Sequence, residues 1–373
     1  MAKQMVNFFQ IALVLIGSTG IINHVIIIPM LLDHSGRDSW ISIIILSLVY
    51  IIWIPCVFIV HKYTKKEHLF SWLMRNYGGF ITYPLLSIIV LYLIILGTVT
   101  LKETLTFFSF YLPETPRMLL GVLLSIICFY NIQRGVQSIA LTTGILLPVV
   151  FLLGFFVMIA NFPHKDYSLL KPIMEHGIDP VIKGMIYPAA GFIELIFILF
   201  LQHHMRTKIK LSQLLIVGII LAGITLGPTM AAIVEFGPFV AANQRYPAFE
   251  EWRLVSIGKY IEHLDFLSVY QWLVGVFIRI SLVIFLIPDV LQVTKRKASN
   301  QIRFALLMFM VIICILPISD ASFYWFLSYV FLPISAIGLF LFSMLLLVFV
   351  WVSKIRKELR ILYIRLMDAK GII

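Results

Sequence analysis

An all-α polytopic membrane protein of about ten transmembrane helices is the fold class this sequence predicts, and three observations predict it. Hydrophobic residues make up 61% of the chain, and the mean hydropathy is +1.01. Charged residues make up only 13%, against about a quarter in an ordinary soluble domain. The third observation is order: apolar runs of spanning length alternate with short clusters of Lys and Arg. Burying so much apolar surface around one water-soluble core is implausible, so membrane lipid is the expected solvent. Helices are the form that leaves no backbone group unpaired in hydrocarbon.

Taken in order, the runs are ten. Span 1 covers 8–31; it is long enough to cross, and no small-residue cleavage site follows it, so it reads as a first helix rather than a removable signal. At its centre stand Gly17, Ser18, Thr19 and Gly20. Two glycines flanking two hydroxyl residues lower the cost of unwinding and offer hydroxyls and backbone groups to a ligand. The ordinary alternative is close helix packing on small residues. Span 2 covers 40–60. Span 3, over 81–110, is long and carries Tyr92, Thr98, Lys102 and Glu103, the last two near enough to its outer end to snorkel. Span 4, over 117–131, is short, and span 5 covers 139–160.

Span 6 covers 185–201 and reads Tyr187-Pro188-Ala189-Ala190-Gly191-Phe192-Ile193-Glu194. A proline, a small-residue patch and an acid lie inside one apolar run. His203 and His204 follow at its inner end, where a solvated position is the ordinary reading. Span 7 covers 211–235 and holds Gly223 and Gly227 at GxxxG spacing, a weak helix-packing signal. The outer loop after it, from Tyr246-Pro247 onward, has apolar residues at helical spacing. An amphipathic surface helix is expected there over 247–265. Span 8, over 266–287, contains Phe277, Arg279 and Ser281. Spans 9 and 10 cover 302–318 and 325–351, and a basic tail fills 352–373.

Charge fixes an orientation. With the N-terminus cytoplasmic, 19 of the 29 Lys and Arg fall on inner segments and 8 on outer ones, while acids run the other way, 4 inside and 12 outside. Both termini are therefore expected inside, and the tail along the anionic leaflet. The net charge of +11 follows this topology and not a basic face, which argues against nucleic-acid binding. Cys56, Cys128 and Cys314 lie in apolar runs without metal spacing. No phosphate loop or nucleophile motif is present, so neither an enzyme nor a cofactor is expected.

Spans 1 and 6 begin two halves of five spans each, 1–160 and 161–351, within one transmembrane domain. An odd number of spans inverts the second half. Interruptions at matching places in inverted halves point to a midplane binding site. A charge at mid-bilayer costs on the order of 3 kcal/mol by insertion scales, so Glu194 and Arg279 each need a partner or water. They either pair with each other or serve the site. Tyr92, Thr98, Phe277 and Ser281 are candidates for lining a cavity between spans.

The chain also resembles the B subunits of nutrient germinant receptors of endospore-forming bacteria, members of the amino acid–polyamine–organocation superfamily. The resemblance rests on Gln10 to Pro29 with its Gly17–Gly20 interruption, on Asp38-Ser39-Trp40-Ile41, and on Gly191-Phe192-Ile193-Glu194. It also rests on the outer segment from Tyr246-Pro247 through Arg253, Ile257, Ile261 and Glu262 to Asp265, closing on Trp272. It implies a LeuT-like 5+5 inverted repeat with broken helices 1 and 6. It also implies a small nutrient such as an amino acid held among Gly17, Ser18, Thr19, Gly20, Gly191, Phe192 and Glu194, and location in the spore inner membrane beside A and C subunits. The alternative is a secondary transporter, with Glu194 the candidate for proton coupling.

Overall fold

The computed structural model describes residues 5–257 and 263–369. Within them, eight continuous helical runs are long and apolar enough to cross a membrane. The first, Phe8–Thr64, is bent at Gly36–Asp38 by a single 3-10 turn in which Gly36 takes φ +51°. A left-handed backbone is cheap only for glycine, so the run folds there into spans 1 and 2. Arg117–Ile132, 16 residues long, adds a shorter apolar rod of about 24 Å. The ten rods thus follow the expected order: Phe8–Ser35 and Ser39–Thr64, then Gly79–Tyr111, Arg117–Ile132 and Val136–Ala160. The second five are Asp179–His204, Leu211–Phe236, Phe266–Val290, Arg296–Ile315 and the run opening at Asp320.

Burial orders the rods. Spans 6 and 8 are the inner ones, with 83% of the most apolar window of each buried, against 17% for span 5. Span 1 packs on spans 5 and 8, span 2 on spans 7 and 10, and span 6 on span 10. Span 3 lies against spans 8 and 9, and span 4 against the same two. A parallel bridge between Val6 and Met205, with Val6 N–H donating to the His204 carbonyl at 3.0 Å, ties the chain's start to the end of span 6.

Two expectations are corrected. Spans 1 and 6 do not unwind. Gly17–Gly20 remain α-helical, and the hydrogen-bond register of span 1 widens to a π-turn one turn later, over Ile22–Ile26. In span 6 the register tightens to 3-10 over Ile193–Phe197. Shifting register keeps amides bonded where no water is available to replace a lost bond, which is why small residues alone do not break these helices. Pro188 sits in the first turn of the Ile186–Phe192 segment, where its missing N–H costs least.

The outer-loop helix is short, Pro247–Arg253, and it is buried rather than lying on the surface; residues 258–262 of the expected helix are outside the described residues. Tyr246, Phe249 and Trp252 share one face of it, and all three pack inward. The tail is a continuation of span 10, helical from Leu332 to Ala369. An unforeseen helix, Leu69–Tyr77, buries Leu69, Phe70, Trp72 and Leu73 against the bundle. Its nine residues are too few to register as a run on hydropathy.

Candidate functional site

The π-turn of span 1 packs on the Ile186–Phe192 helix of span 6, and the Phe8–Ile21 helix of span 1 packs on the 3-10 turn of span 6. The Ile22 amide bonds back to the Thr19 carbonyl, and the Ser18 carbonyl accepts instead from Arg279 Nη1 at 2.6 Å. Arg279 comes from span 8 and is wholly buried. Its Nη2 donates to Glu194 Oε1 at 2.5 Å and its Nη1 to Oε2 at 2.9 Å, a forked pair across spans 8 and 6. Its Nε donates to Thr100 Oγ1 of span 3 at 3.1 Å. Tyr92 OH (3.3 Å) and Thr19 Oγ1 (3.5 Å) approach the two Glu194 oxygens. Spans 1, 3, 6 and 8 are thereby joined through one guanidinium and one carboxylate.

Such a pair is held by geometry, because desolvating both ions costs several kcal/mol each and only good contacts return it. Here the carboxylate and main-chain contacts supply that geometry. Beside the pair, other polar groups lack partners among the described residues: Ser18 Oγ, both amide atoms of Asn23, and the Tyr50 hydroxyl, all buried. Asn23 lies in the π-turn and presses on Gly191; a Cβ at Gly191 would fall 1.5 Å from Asn23 Oδ1. Only glycine permits this approach of spans 1 and 6. On the next residue, the Phe192 ring lies 5.0 Å from that of Tyr50. Buried polar atoms without partners are uncommon in native proteins, and π-turns often mark functional sites.

Not every expected residue joins this centre. Phe277 and Ser281 are two residues from Arg279 on either side, so the helix turns both away from it. Ser281 Oγ accepts from Asn131 Nδ2 of span 4 at 3.3 Å, and the Phe277 carbonyl faces Cys128 Sγ at 3.9 Å. Thr98 bonds within its own helix to the Ile94 carbonyl, and its own carbonyl faces Cys314 of span 9. Gly17 is placed against Ile278 of span 8, its Cβ position 2.8 Å from Cδ1, and Gly20 against Ile224 of span 7. Asn23 and Thr100 were missed. Asn23 had a signal, as an amide within an apolar span, whereas Thr100 had none.

The outer and inner ends also differ from expectation. Lys102 and Glu103 do not snorkel. Glu103 is wholly buried and takes Arg245 Nη2 at 2.9 Å, while Lys102 Nζ donates to the Cys314 carbonyl at 3.2 Å. Arg245 also reaches Asp320 and lies over the Tyr246 and Tyr324 rings. Next to it, Phe107 stacks on Trp272 with centroids 4.0 Å apart. The segment from Arg245 to Arg253 thus covers the bundle from the predicted outer side. At the inner end His203 and His204 are not solvated but gather on Asp289. His68, beside them, is pushed down to about 4 by burial and then by its histidine neighbour, and is neutral near pH 7. Among the described residues Gly223 and Gly227 meet nothing within 4 Å of their Cβ positions, so the GxxxG pair mediates no packing there.

The family described as "Spore germination protein" matches residues 3–323. Spore germination protein XB of Bacillus anthracis is 94% identical over 354 residues, 95% of this chain and 100% of that protein. Spore germination protein KB of Bacillus subtilis (strain 168) is 20% identical over 72% of this chain and 74% of its own length. Spore germination protein YndE of the same organism is 21% identical over 86% and 88%.

Proposed function

This chain belongs to the spore germination protein family, and from that premise we propose that it is the nutrient-sensing subunit of a germination receptor. It is an integral membrane protein of the spore. In this reading it lies in the inner membrane with both termini cytoplasmic and works beside A and C subunits. The observation that carries the reading is the buried Arg279–Glu194 pair at the meeting of spans 1, 3, 6 and 8, with unpartnered Asn23 beside it. A zwitterionic amino acid offers the same two charges with opposite placement. Its carboxylate suits Arg279 and its ammonium suits Glu194, while Ser18, Thr19, Asn23, Gly191 and Phe192 shape the remainder. Tyr92 completes the surround.

Some helix neighbours match an inverted repeat, although the contacts of span 1 with 8 and span 2 with 10 have no counterpart of similar extent. Contacts of span 1 with 5 and of span 3 with 9 have counterparts five spans on, at 6 with 10 and 8 with 4, and spans 2 and 7 and spans 3 and 8 pair across the two halves. Ligand binding then favours one packing of the two halves over another, by no more than its difference in affinity for them. The changed packing reaches the partner subunits through the outer segment or the lipid-facing spans.

Germination of spores lacking the gene tests this, with dipicolinic acid release followed across amino acids, sugars, nucleosides and salts. Loss of response to one class, restored by the intact gene but not by a Gly191→Trp copy, supports the receptor reading and names the ligand. An unchanged response to every nutrient, in a strain without related genes, overturns it. A second reading, proton-coupled transport, rests on Glu194 as the one carboxylate at the centre among the described residues. It predicts uptake into proteoliposomes that an uncoupler dissipates and Glu194→Gln abolishes.

A further inference from the structure

We infer that the inner ends of spans 6 and 8, with the turn after span 2, form a binding site for a divalent transition-metal ion of the zinc class, its donors His68, His203 and Asp289, with His204 holding the second carboxylate oxygen of Asp289. The inference is independent of the nutrient reading, because the cluster lies at the bundle's end and its occupancy needs no nutrient.

Three segments bring the donors together. His203 and His204 occupy the 3-10 turn Gln202–His204 that closes span 6. Asp289 follows Pro288 in the last turn of Phe266–Val290, and His68 precedes the helix Leu69–Tyr77. Each carboxylate oxygen of Asp289 faces a different imidazole: Oδ1 is 2.9 Å from His204 Nε2, and Oδ2 is 3.2 Å from His203 Nε2. The His203 ring centroid lies 4.0 Å from that of His204 and 4.6 Å from that of His68. One donor atom each from His68, His203 and Asp289 lies within 4.8 Å of the others.

Those spacings can be compared with a real shell. Bonds of about 2.0–2.1 Å in a tetrahedron place neighbouring donors roughly 3.3–3.4 Å apart. The His203–Asp289 spacing of 3.2 Å is already close to that edge, and side-chain movement of roughly 1.4 Å closes one as long as 4.8 Å. His68 is oriented as ligating imidazoles usually are: its Nε2–H donates to a main-chain carbonyl, that of Asp289, at 3.0 Å. Its Nδ1 meets the Gln292 amide at 3.1 Å, a contact the ion replaces.

Imidazole nitrogens with one carboxylate suit zinc, cobalt or nickel, whereas magnesium and calcium require oxygen shells. Arg303 shares the field of Asp289 and opposes a dication, so affinity falls below that of a closed zinc-finger site. A bound ion ties spans 6 and 8 to the turn after span 2 and resists their separation. Nothing in the sequence spacing announces such a site, because its segments are far apart in the chain.

The test uses the full chain without a polyhistidine tag, in lipid nanodiscs, stripped with chelator and titrated with Co²⁺ alone, then with Zn²⁺ in competition. The expected result is one equivalent of Co²⁺ with the intense visible bands of tetrahedral cobalt, displaced by zinc. Asp289→Asn and the pair His203→Gln/His204→Gln each weaken binding by ten-fold or more. His68→Gln, in a turn and not in a span, does the same while leaving the size-exclusion profile unchanged, which separates lost ligation from lost folding. Cobalt held no more tightly by the native chain than by His68→Gln, or showing only the pale bands of octahedral aquo-cobalt, overturns the site.

Discussion

Replacing Glu194 with Gln keeps the side chain's shape but leaves Arg279, wholly buried, facing no anion. Breaking one partner of a buried pair costs about 3–5 kcal/mol, so thermal unfolding of Glu194→Gln in nanodiscs should move to a markedly lower temperature. Removing both charges, in Glu194→Gln/Arg279→Met, should recover much of that loss. If the double variant folds normally and still gives no dipicolinic acid release with any nutrient, the pair acts in sensing and not only in packing; a normal response shows that it is structural. At the outer loop Glu251 is buried, and burial followed by the nearby Glu235 holds its carboxyl well above the usual range, with Lys165 opposing. A raised acid pKa means stability is full below the unfolded value and declines as pH rises toward the folded one. Glu251→Gln should therefore stabilise the chain at pH 7 and flatten the dependence of its unfolding temperature on pH; an unchanged slope would count against that assignment.

Elements meet here through contacts that one atom can break. A methyl group at Gly191 would occupy the place of Asn23 Oδ1, so Gly191→Ala should force spans 1 and 6 apart and abolish the germination response at normal protein abundance. Asn23→Ala in the same chain removes the nearest obstacle, leaving Ile22 Cγ2 at 2.9 Å, and should restore much of the packing, read as a recovered unfolding temperature. No recovery would mean that the π-turn, and not the side chain, sets the spacing. The outer segment depends in the same way on Arg245, which bridges Glu103 of span 3 and Asp320 at the start of span 10. Arg245→Gln strands a wholly buried carboxylate, with a cost again of about 3–5 kcal/mol. Hydrogen exchange over 244–253 should rise, and adding Glu103→Gln should reverse much of the effect. Exchange that stays at the native level would show the aromatic stack of Phe107, Trp272 and Tyr246 to be sufficient by itself.

For the whole molecule the open quantity is orientation, and charge supplies the expectation. Nineteen of 29 basic residues fall on one set of segments, which the positive-inside rule places in the cytoplasm. Single cysteines at His176 and Lys208, in a background with Cys56, Cys128 and Cys314 replaced, give a direct reading. An impermeant maleimide applied to intact cells expressing the chain should label position 176 and spare 208. The reverse pattern would invert the topology and place the histidine–aspartate cluster outside.

Hydropathy and charge by themselves determined the class, the ten rods and their order, because the bilayer imposes length and internal hydrogen bonding on any segment that crosses it. Span-level cost also singled out Glu194 and Arg279, since an ion in hydrocarbon needs an explanation wherever its partner lies. Facing was another matter. Ser281 and Phe277 share a span with Arg279 yet point elsewhere, and a helix apolar all round carries no periodicity to say so. The glycines of span 1 suggested unwinding, but the chain answered with a π-turn, because a shifted register keeps its amides bonded. Asn23 against Gly191, Arg245 on Glu103, and three histidines around Asp289 join residues distant in the chain. Those approaches depend on how whole helices pack, which no local pattern of residues encodes.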